Sequence, residues 1–271
     1  MTKFRAACVQ MRSSDDMAAN IADASALIRD AAGQGAHYIQ TPENTCLMAP
    51  DGGAKFDLTF DEANDPALPA FRALAEELGV WLHIGSLAIK VGPDKVANRA
   101  FVIDPQGAIA AHYDKIHLFD VQLANGEDYK ESATVAPGDK LSTVELPWGK
   151  LGVSICYDLR FPHLYRSFGK AGCSFIAIPA AFTKTTGEAH WHVLQRARAI
   201  ENGAFVISAA QGGRHANGRQ TYGHSLIIDP WGEILAEGGT EPGVVIADID
   251  PAEVAAVRGR IPALSHDRPY S

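Results

Sequence analysis

The sequence predicts an α/β fold whose sheets are mixed and buried on both faces. Three observations carry this. Strand-like and helix-like segments alternate along the chain. The strand-like segments are near-continuous apolar runs. Two of them turn back through an Asp-Pro-x-Gly corner, "IDPQGAI" and "IDPWGEI". Continuous apolar strands need cover on both faces, which intervening helices supply. The hairpins exclude an all-parallel sheet. The two similar corners also hint at two related halves, weakly, because such turns are common.

The elements follow in order. "FRAACVQM" is a short apolar strand. From Met17 to Ala32, Ile21, Ala24, Leu27, Ile28 and Ala31 recur at helical spacing, and "GQG" stops the helix. "AHYIQTPEN" is a strand running into a loop. "LPAFRALAEELG" is an amphipathic helix with Pro near its start and Gly after its end. "VWLHIGSLAI" is a strand, and "NRAFVIDPQGAIAAHYDK" a hairpin. The segment 119–139 is long, polar and aperiodic, which in a compact domain marks a functional or a disordered loop. "LGVSICYD" and "CSFIAIPAAF" then read as strands, each followed by a helix, "FPHLYRSFGKAG" and "EAHWHVLQRARAIENG". "AFVISAAQ", the hairpin "HSLIIDPWGEILAEG" and "GVVIADID" complete the strands, and the tail reads as a helix followed by an extended segment. No linker rich in Gly, Ser or Pro interrupts the chain, so one domain over 1–271 is expected.

The 271 residues carry a formal net charge of −8. No basic block of the nucleic-acid-binding kind occurs. The N-terminus, "MTKFRAACVQMRSSDD", turns polar too soon for a signal peptide. No apolar stretch approaches the roughly 18 residues of a membrane span. A soluble, cytoplasmic protein without nucleic-acid or membrane partners is the expectation. Cysteines stand at 8, 46, 156 and 173, none at CxxC spacing, so a zinc cage or thioredoxin-type motif is not expected. A disulfide framework is equally unexpected without a secretory signal. Of the ten histidines, His190 and His192 lie two apart on a helix and point to different faces. With no HExxH spacing, a metal-dependent hydrolase is disfavoured.

Polar chemistry interrupts apolar runs in three places: Glu43 in "TPENT", Lys115 in "AAHYDKIHLFD" and Cys156 in "LGVSICYDLRFPH". Taken singly, each is ordinary: a loop carboxylate, a surface lysine, a small core residue. All three fall at strand ends, where open α/β sheets gather reactive groups. Together they offer a base, a cation and a thiol. Burial is expected to raise the Glu pKa and a nearby ammonium to lower that of the thiol, which makes proton transfer between them feasible.

"TPEN", "HYDKIHLFD" and "GVSICYDLRFPHLYR", in this order, resemble the three signature segments of the nitrilase superfamily of carbon-nitrogen hydrolases. The resemblance runs from "AACVQM" to the "RPY" tail. It implies a four-layer α-β-β-α sandwich with two mixed sheets. It implies a Glu-Lys-Cys triad of Glu43, Lys115 and Cys156, and a second glutamate between the lysine and cysteine motifs. "YKESATVAPGD" assigns that glutamate to Glu131, with Glu127 in "NGEDYK" as competitor. In the implied mechanism Glu43 takes the thiol proton and Cys156 attacks the amide carbon. Lys115 and the backbone N–H of Tyr157 hold the oxyanion, each such donor contributing on the order of 3 kcal/mol. A thioester follows and water releases the acid. No metal or organic cofactor is implied.

"KIHLFDV", "CYDLRFP", "AHWHVLQRARAIEN", "AAQGGRH" and "YGHSLIIDPWGE" look closest to the amidase branch that repairs transamination by-products. Its substrates are deaminated glutathione, favoured here by "AAQGGRH" and "YGHS", or alternatively the ω-amidase substrates α-ketoglutaramate and α-ketosuccinamate. Carbamoyl-amino-acid or nitrile hydrolysis, and a catalytically silent binding module, stay as further alternatives. Arg160 is the expected anchor for the α-keto-acid carboxylate, because guanidinium binds carboxylate bidentately. Asp158 or a helix end would hold it in a purely structural role. The resemblance also suggests that Phe182 and Thr186 line the pocket. The sequence departs from the family's "FPEL" and "HWEVL", with His163 and His192 in place of the glutamates. The resemblance further implies at least a homodimer, formed by the cysteine-following helix and the C-terminal segment, about 255–271.

Overall fold

A computed structural model describes residues 2–49, 53–123 and 126–268. The chain begins with β1 (Phe4–Gln10), α1 (Met17–Gly33), β2 (Tyr38–Gln40), the short α2 (Gly53–Asp57) and α3 (Ala67–Leu78). The strands β3 (Trp81–Lys90), β4 (Val96–Ile103) and β5 (Ile109–Asp114) follow, then a small hairpin of β6 (Asp120–Gln122) and β7 (Asp128–Lys130), and β8 (Val135–Ala136). Next come β9 (Ser142–Leu146), β10 (Gly149–Val153), α4 (Pro162–Lys170), β11 (Phe175–Ala177), α5 (Lys184–Asn202) and β12 (Phe205–Ser208). A hairpin of β13 (Gly212–Arg214) and β14 (Gln220–Tyr222) precedes β15 (Leu226–Ile228), β16 (Ile234–Glu237), β17 (Gly243–Ile249) and α6 (Ala252–Arg260).

Local chemistry sets the helix limits. The Asp16 carboxylate accepts from Ala19 N at 3.0 Å to start α1, and the Thr183 hydroxyl caps α5 through Thr186 N. Such caps contribute about 1 kcal/mol each. Pro162 opens α4, where its missing N–H has no intrahelical partner to lose. Gly79 and Gly203 end α3 and α5 in the left-handed region, which glycine enters without a Cβ clash.

Two mixed sheets result. One has the order β17-β1-β2-β3-β4-β5, with β8 also paired to β4; the other has the order β16-β15-β12-β11-β10-β9. The halves follow one path. β1, β2 and β3 are parallel and linked by helices, and β4 and β5 fold back antiparallel. β10, β11 and β12 repeat this, with β15 and β16 as the returning pair. The two Asp-Pro-x-Gly corners occupy equivalent places. Asp104 Oδ1 accepts from Gln106 N and Ala108 N, and Asp229 Oδ1 accepts from Trp231 N and Glu233 N.

The sandwich has four layers. Phe4, Ala6 and Cys8 of β1 face the second sheet, while Ala7 and Val9 face Ile28 of α1 and Phe71 of α3, the period-2 alternation of a strand covered twice. On the far side, Leu164 and Phe168 of α4 and Trp191 of α5 close over the second sheet. Fully burying a large apolar side chain contributes about 1.5–3 kcal/mol.

Three differences from the sequence expectation bear on function. The strand before Cys156 ends at Val153, and Cys156 itself has φ +48. The polar segment 119–139 contains β6, β7, a 3-10 turn and β8 instead of plain loop. The hairpin β13–β14, α2 and β9 were not expected, because each is too short to show periodicity. The Pro269–Ser271 end of the expected oligomer-forming tail lies outside the described residues.

Candidate active site

Glu43 follows β2 by three residues, Cys156 follows β10 by three, and Lys115 is the first residue after β5. The face-to-face sheets bring these three ends together. All three residues are buried, at 3, 2 and 6% exposure for Glu43, Lys115 and Cys156.

The glutamate loop is fixed by its own small polar side chains. The Thr41 and Thr45 hydroxyls lie 2.7 Å apart, Gly85 N donates to Thr41 Oγ1, and Asn44 N donates to Ser86 Oγ. Gly85 has to be glycine, since a Cβ there would lie 2.0 Å from the Thr41 carbonyl oxygen. Glu43 Oε1 accepts from Lys115 Nζ at 2.8 Å and Asn98 Nδ2 at 2.9 Å, and Oε2 accepts from Ala181 N at 2.8 Å. Lys115 Nζ also donates to both oxygens of Glu131, at 2.9 and 3.2 Å. Glu131 is held in turn by Phe119 N at 2.6 Å and Asn98 Nδ2 at 3.2 Å. Glu131, from the 3-10 turn after β7, is thus the glutamate that meets the lysine; Glu127 lies before β7.

Cys156 opens the 3-10 turn Cys156–Arg160 in the left-handed region, which costs a non-glycine residue roughly 1–2 kcal/mol. Hydrogen bonds to a fully buried carboxylate offset this. Asp158 accepts from Ile155 N at 2.9 Å, Tyr113 OH at 2.8 Å and His117 N at 3.1 Å, and pairs with His117 Nδ1 at 2.7 Å. Asp158 therefore ties the cysteine turn to the segment that carries Lys115. The first N–H groups of a helical turn have no acceptor within it, so the Tyr157 N–H is placed to serve an outside oxygen.

The electrostatics correct one sequence expectation. Burial pushes Glu43 up, but the charge and hydrogen bond of Lys115, a hydrogen bond from Cys156 and the charge of Arg219 outweigh it and hold the carboxyl at about 2. Burial and then the Glu43 charge push the Cys156 thiol well up, against a smaller lowering by Lys115. Burial opposes the Lys115 ammonium, but Glu131, Glu43 and Cys156 together raise it. The order is the reverse of a raised glutamate beside a lowered thiol. The reason is that burial and the Glu43 charge outweigh the ammonium at the thiol, while the ammonium, the Cys156 hydrogen bond and Arg219 outweigh burial at Glu43. The resting site is an ionised Glu43–Lys115 pair beside a neutral thiol.

Glu43, Lys115, Glu131 and Cys156 border an open cleft. Phe182 and Thr186 line it, as does Tyr157. Arg160 does not. Its guanidinium lies over the Phe182 ring at 5.1 Å and reaches His190 Nδ1 at 3.3 Å, and Asp158 is engaged elsewhere. Besides Lys115, the cations in the cleft are instead Lys55, Lys130 and Arg219. Arg219, before β14, sits over the Tyr129 ring at 5.3 Å and donates from Nη2 to the Ala181 carbonyl, while its buried Nε has no hydrogen-bond partner among the described residues. His163 packs beside His117 and Phe161, and His192 beside Tyr222 and His224, so they join separate groups and neither lines the cleft.

Sequence reading missed Asn98, Asp158 and Arg219. Asp158 stands inside the cysteine motif, and an acid two residues from the thiol was the available signal. Asn98 and Arg219 carry no local signal; only the fold brings them in.

The pattern of the carbon-nitrogen hydrolase family matches residues 5–259. This chain belongs to that family. Related to this carbon-nitrogen hydrolase is a deaminated glutathione amidase of Synechocystis sp., 42% identical over 271 residues, covering 98% of each chain. The human omega-amidase NIT2 is 36% identical over 268 residues, covering 99% of this chain and 96% of its own. Among solved structures, the C. elegans NitFhit protein superposes with a TM-score of 0.91 at 36% identity, over 98% of this chain and 65% of that longer one. A glutamate-to-glutamine variant of an amidase from Nesterenkonia sp. AN1 superposes with a TM-score of 0.84 at 25% identity, over 98% of this chain and 94% of its own. In that protein the acetamide moiety of fluoroacetamide is covalently added at the active-site cysteine.

Proposed function

We propose that this carbon-nitrogen hydrolase is a thiol-dependent amidase for a small α-keto-acid amide, with deaminated glutathione as the preferred substrate and α-ketoglutaramate or α-ketosuccinamate as the second reading. The observation that carries it is the buried Glu43–Lys115 pair with Glu131 beside it, bonded at 2.8 and 2.9 Å, next to Cys156 in a cleft rimmed by cations.

In this reading Cys156 Sγ attacks the amide carbon as its proton passes to Glu43. The neutral resting thiol makes transfer and attack one event, because a free thiolate that is buried beside the Glu43 carboxylate is disfavoured. The oxyanion is held by Lys115 Nζ and the Tyr157 N–H. Lys115 has three N–H donors and three carboxylate-oxygen contacts, so the longer Glu131 contact at 3.2 Å gives way as the oxyanion forms. Glu43 then protonates the departing amine or ammonia as the C–N bond breaks, leaving a thioester on Cys156. Water gives a proton to Glu43 and attacks the thioester, and Glu43 returns that proton to the departing sulfur. Glu131 positions Lys115. Arg219, with Lys55 and Lys130, holds the substrate carboxylate, and Arg160 acts through the Phe182 ring.

A hydrolysis panel read by product formation tests this. Deaminated glutathione and α-ketoglutaramate should be cleaved with far higher kcat/KM than carbamoyl amino acids or nitriles, and Cys156→Ala should abolish turnover. Comparable turnover in that variant would overturn the mechanism, and a preference for carbamoyl amino acids would overturn the substrate class. A cytoplasmic location and at least a homodimer complete the proposal. Among the described residues no helix is long and apolar enough to cross a membrane.

A further inference from the structure

His192 is where the chain departs from the "HWEVL" pattern, and the structure gives the departure a partner set. His192 Nε2 lies 2.9 Å from Glu237 Oε1, and His224 Nδ1 lies 2.8 Å from the same oxygen. One atom from each of these three side chains falls within 4.8 Å of the others. They come from three elements: α5, the residue pair before β15, and the last position of β16. All keep some exposure, at 30, 26 and 37% of their side chains, so a solvated ion can reach them.

We infer that His192, His224 and Glu237 form a binding site for a divalent zinc-class cation, separate from the catalytic cleft. Two imidazole nitrogens and one carboxylate oxygen are a ligand set that zinc takes at about 2.0–2.2 Å, leaving a fourth position for water. Tetrahedral bonds of that length put neighbouring ligand atoms roughly 3.3 Å apart. The two hydrogen-bond distances already bracket the carboxylate oxygen at slightly less than this, so the ion needs only a small opening of the group. On binding, the metal takes the place of the protons between the rings and Glu237, and each imidazole carries its proton on the other nitrogen. No redox change or further reactant is involved.

The surroundings hold the ligands in place. His224 has φ +53, its N–H donates to the Gly239 carbonyl at 2.7 Å and its own carbonyl accepts from Trp191 Nε1 at 2.8 Å. Its ring stacks on Tyr222 with centroids 4.3 Å apart. A glutamate at position 192 would set a second carboxylate against Glu237 and remove one imidazole ligand. None of the three residues lines the cleft. The ion would instead pin α5, whose first turn supplies Thr186 to the cleft wall, to the β15–β16 pair. Its role is structural.

The test is zinc titration of the full chain in a Cys156→Ala background, which removes the thiol that would compete for the metal. Chelator-dialysed protein should bind one Zn²⁺ per chain with a Kd of about 10 μM or tighter, and its Tm should rise by several degrees at excess zinc. Co²⁺ should give an absorption spectrum of nitrogen and oxygen ligation without sulfur charge transfer. His192→Ala and the isosteric Glu237→Gln should each weaken binding at least tenfold while leaving the metal-free far-UV spectrum unchanged. Binding weaker than about 100 μM, or binding indifferent to both substitutions, would overturn the site. If either variant fails to fold, the sulfur-free cobalt spectrum at one equivalent decides the matter in the parent chain.

Discussion

Glu43→Gln separates two ways of using the cysteine. The substitution keeps the side-chain shape and removes the charge. Glu43 Oε1 faces two donors, Lys115 Nζ and Asn98 Nδ2, and Oε2 faces Ala181 N. A glutamine must therefore aim its NH₂ at a donor. Its least costly placement gives up the Ala181 bond, leaving one buried N–H unmatched at about 1–3 kcal/mol. Loss of the general base should lower kcat/KM by about 10²–10⁴-fold. The thiol should move the other way. The Glu43 charge is, after burial, the main influence raising it, so removal makes Cys156 more acidic. Alkylation of Cys156 by iodoacetamide at pH 7 should then become faster as amide turnover collapses. Of the four cysteines only Cys156 borders the cleft, and Cys156→Ala supplies the blank. If both rates fall together, the thiolate is preformed and maintained by Glu43. If turnover stays within tenfold of wild type, Glu43 is not the base.

Other outcomes follow from the same geometry. Lys115→Met should lose about 10²–10³-fold in kcat as an oxyanion donor. It should also destabilise the fold by about 3–5 kcal/mol, since the buried Glu43 and the partly buried Glu131 lose their counter-charge; a Tm equal to wild type would contradict the ion-paired group. Glu43 is held at about 2 against an ordinary 4.5, so its stabilisation is complete above 4.5 and lost as pH falls toward 2. On the order of 3 kcal/mol should disappear across that window in urea unfolding of wild type and not of Glu43→Gln. Arg219→Ala should raise KM for α-keto-acid amides at least tenfold with a smaller effect on kcat, whereas Arg160→Ala should have the smaller KM effect; the opposite order would return the carboxylate to Arg160. Light scattering should find at least a dimer, since Val193, Ile200, Trp231 and Ile261 are 68, 52, 48 and 55% exposed; a clean monomer refutes that.

The elements legible in the sequence were those whose signal is repetitive. The long helices α1, α3 and α5 and the two Asp-Pro-x-Gly hairpins show themselves by period and by turn chemistry. β9, α2 and the β13–β14 hairpin do not, because three to five residues cannot display a period, yet the loop of that last hairpin brings Arg219 to the cleft. Glu43, Lys115 and Cys156 were readable because each interrupts an apolar run at a strand end, and their motifs come in a fixed order. Glu131 came from the family resemblance, and it is the glutamate that Lys115 bonds.

By itself the sequence determined the residue types of the chemistry, the alternation of strands and helices, and the positions where strands give way to reactive groups. These are local properties, written in neighbouring side chains. Only the tertiary structure decided which cations line the cleft, why the thiol rests protonated, and that His192 finds His224 and Glu237. Each of these depends on charges and distances between residues tens to more than a hundred positions apart. Such interactions are set by how the two sheets stack, because a buried charge feels what the fold places within a few ångströms and not what the chain places next in line.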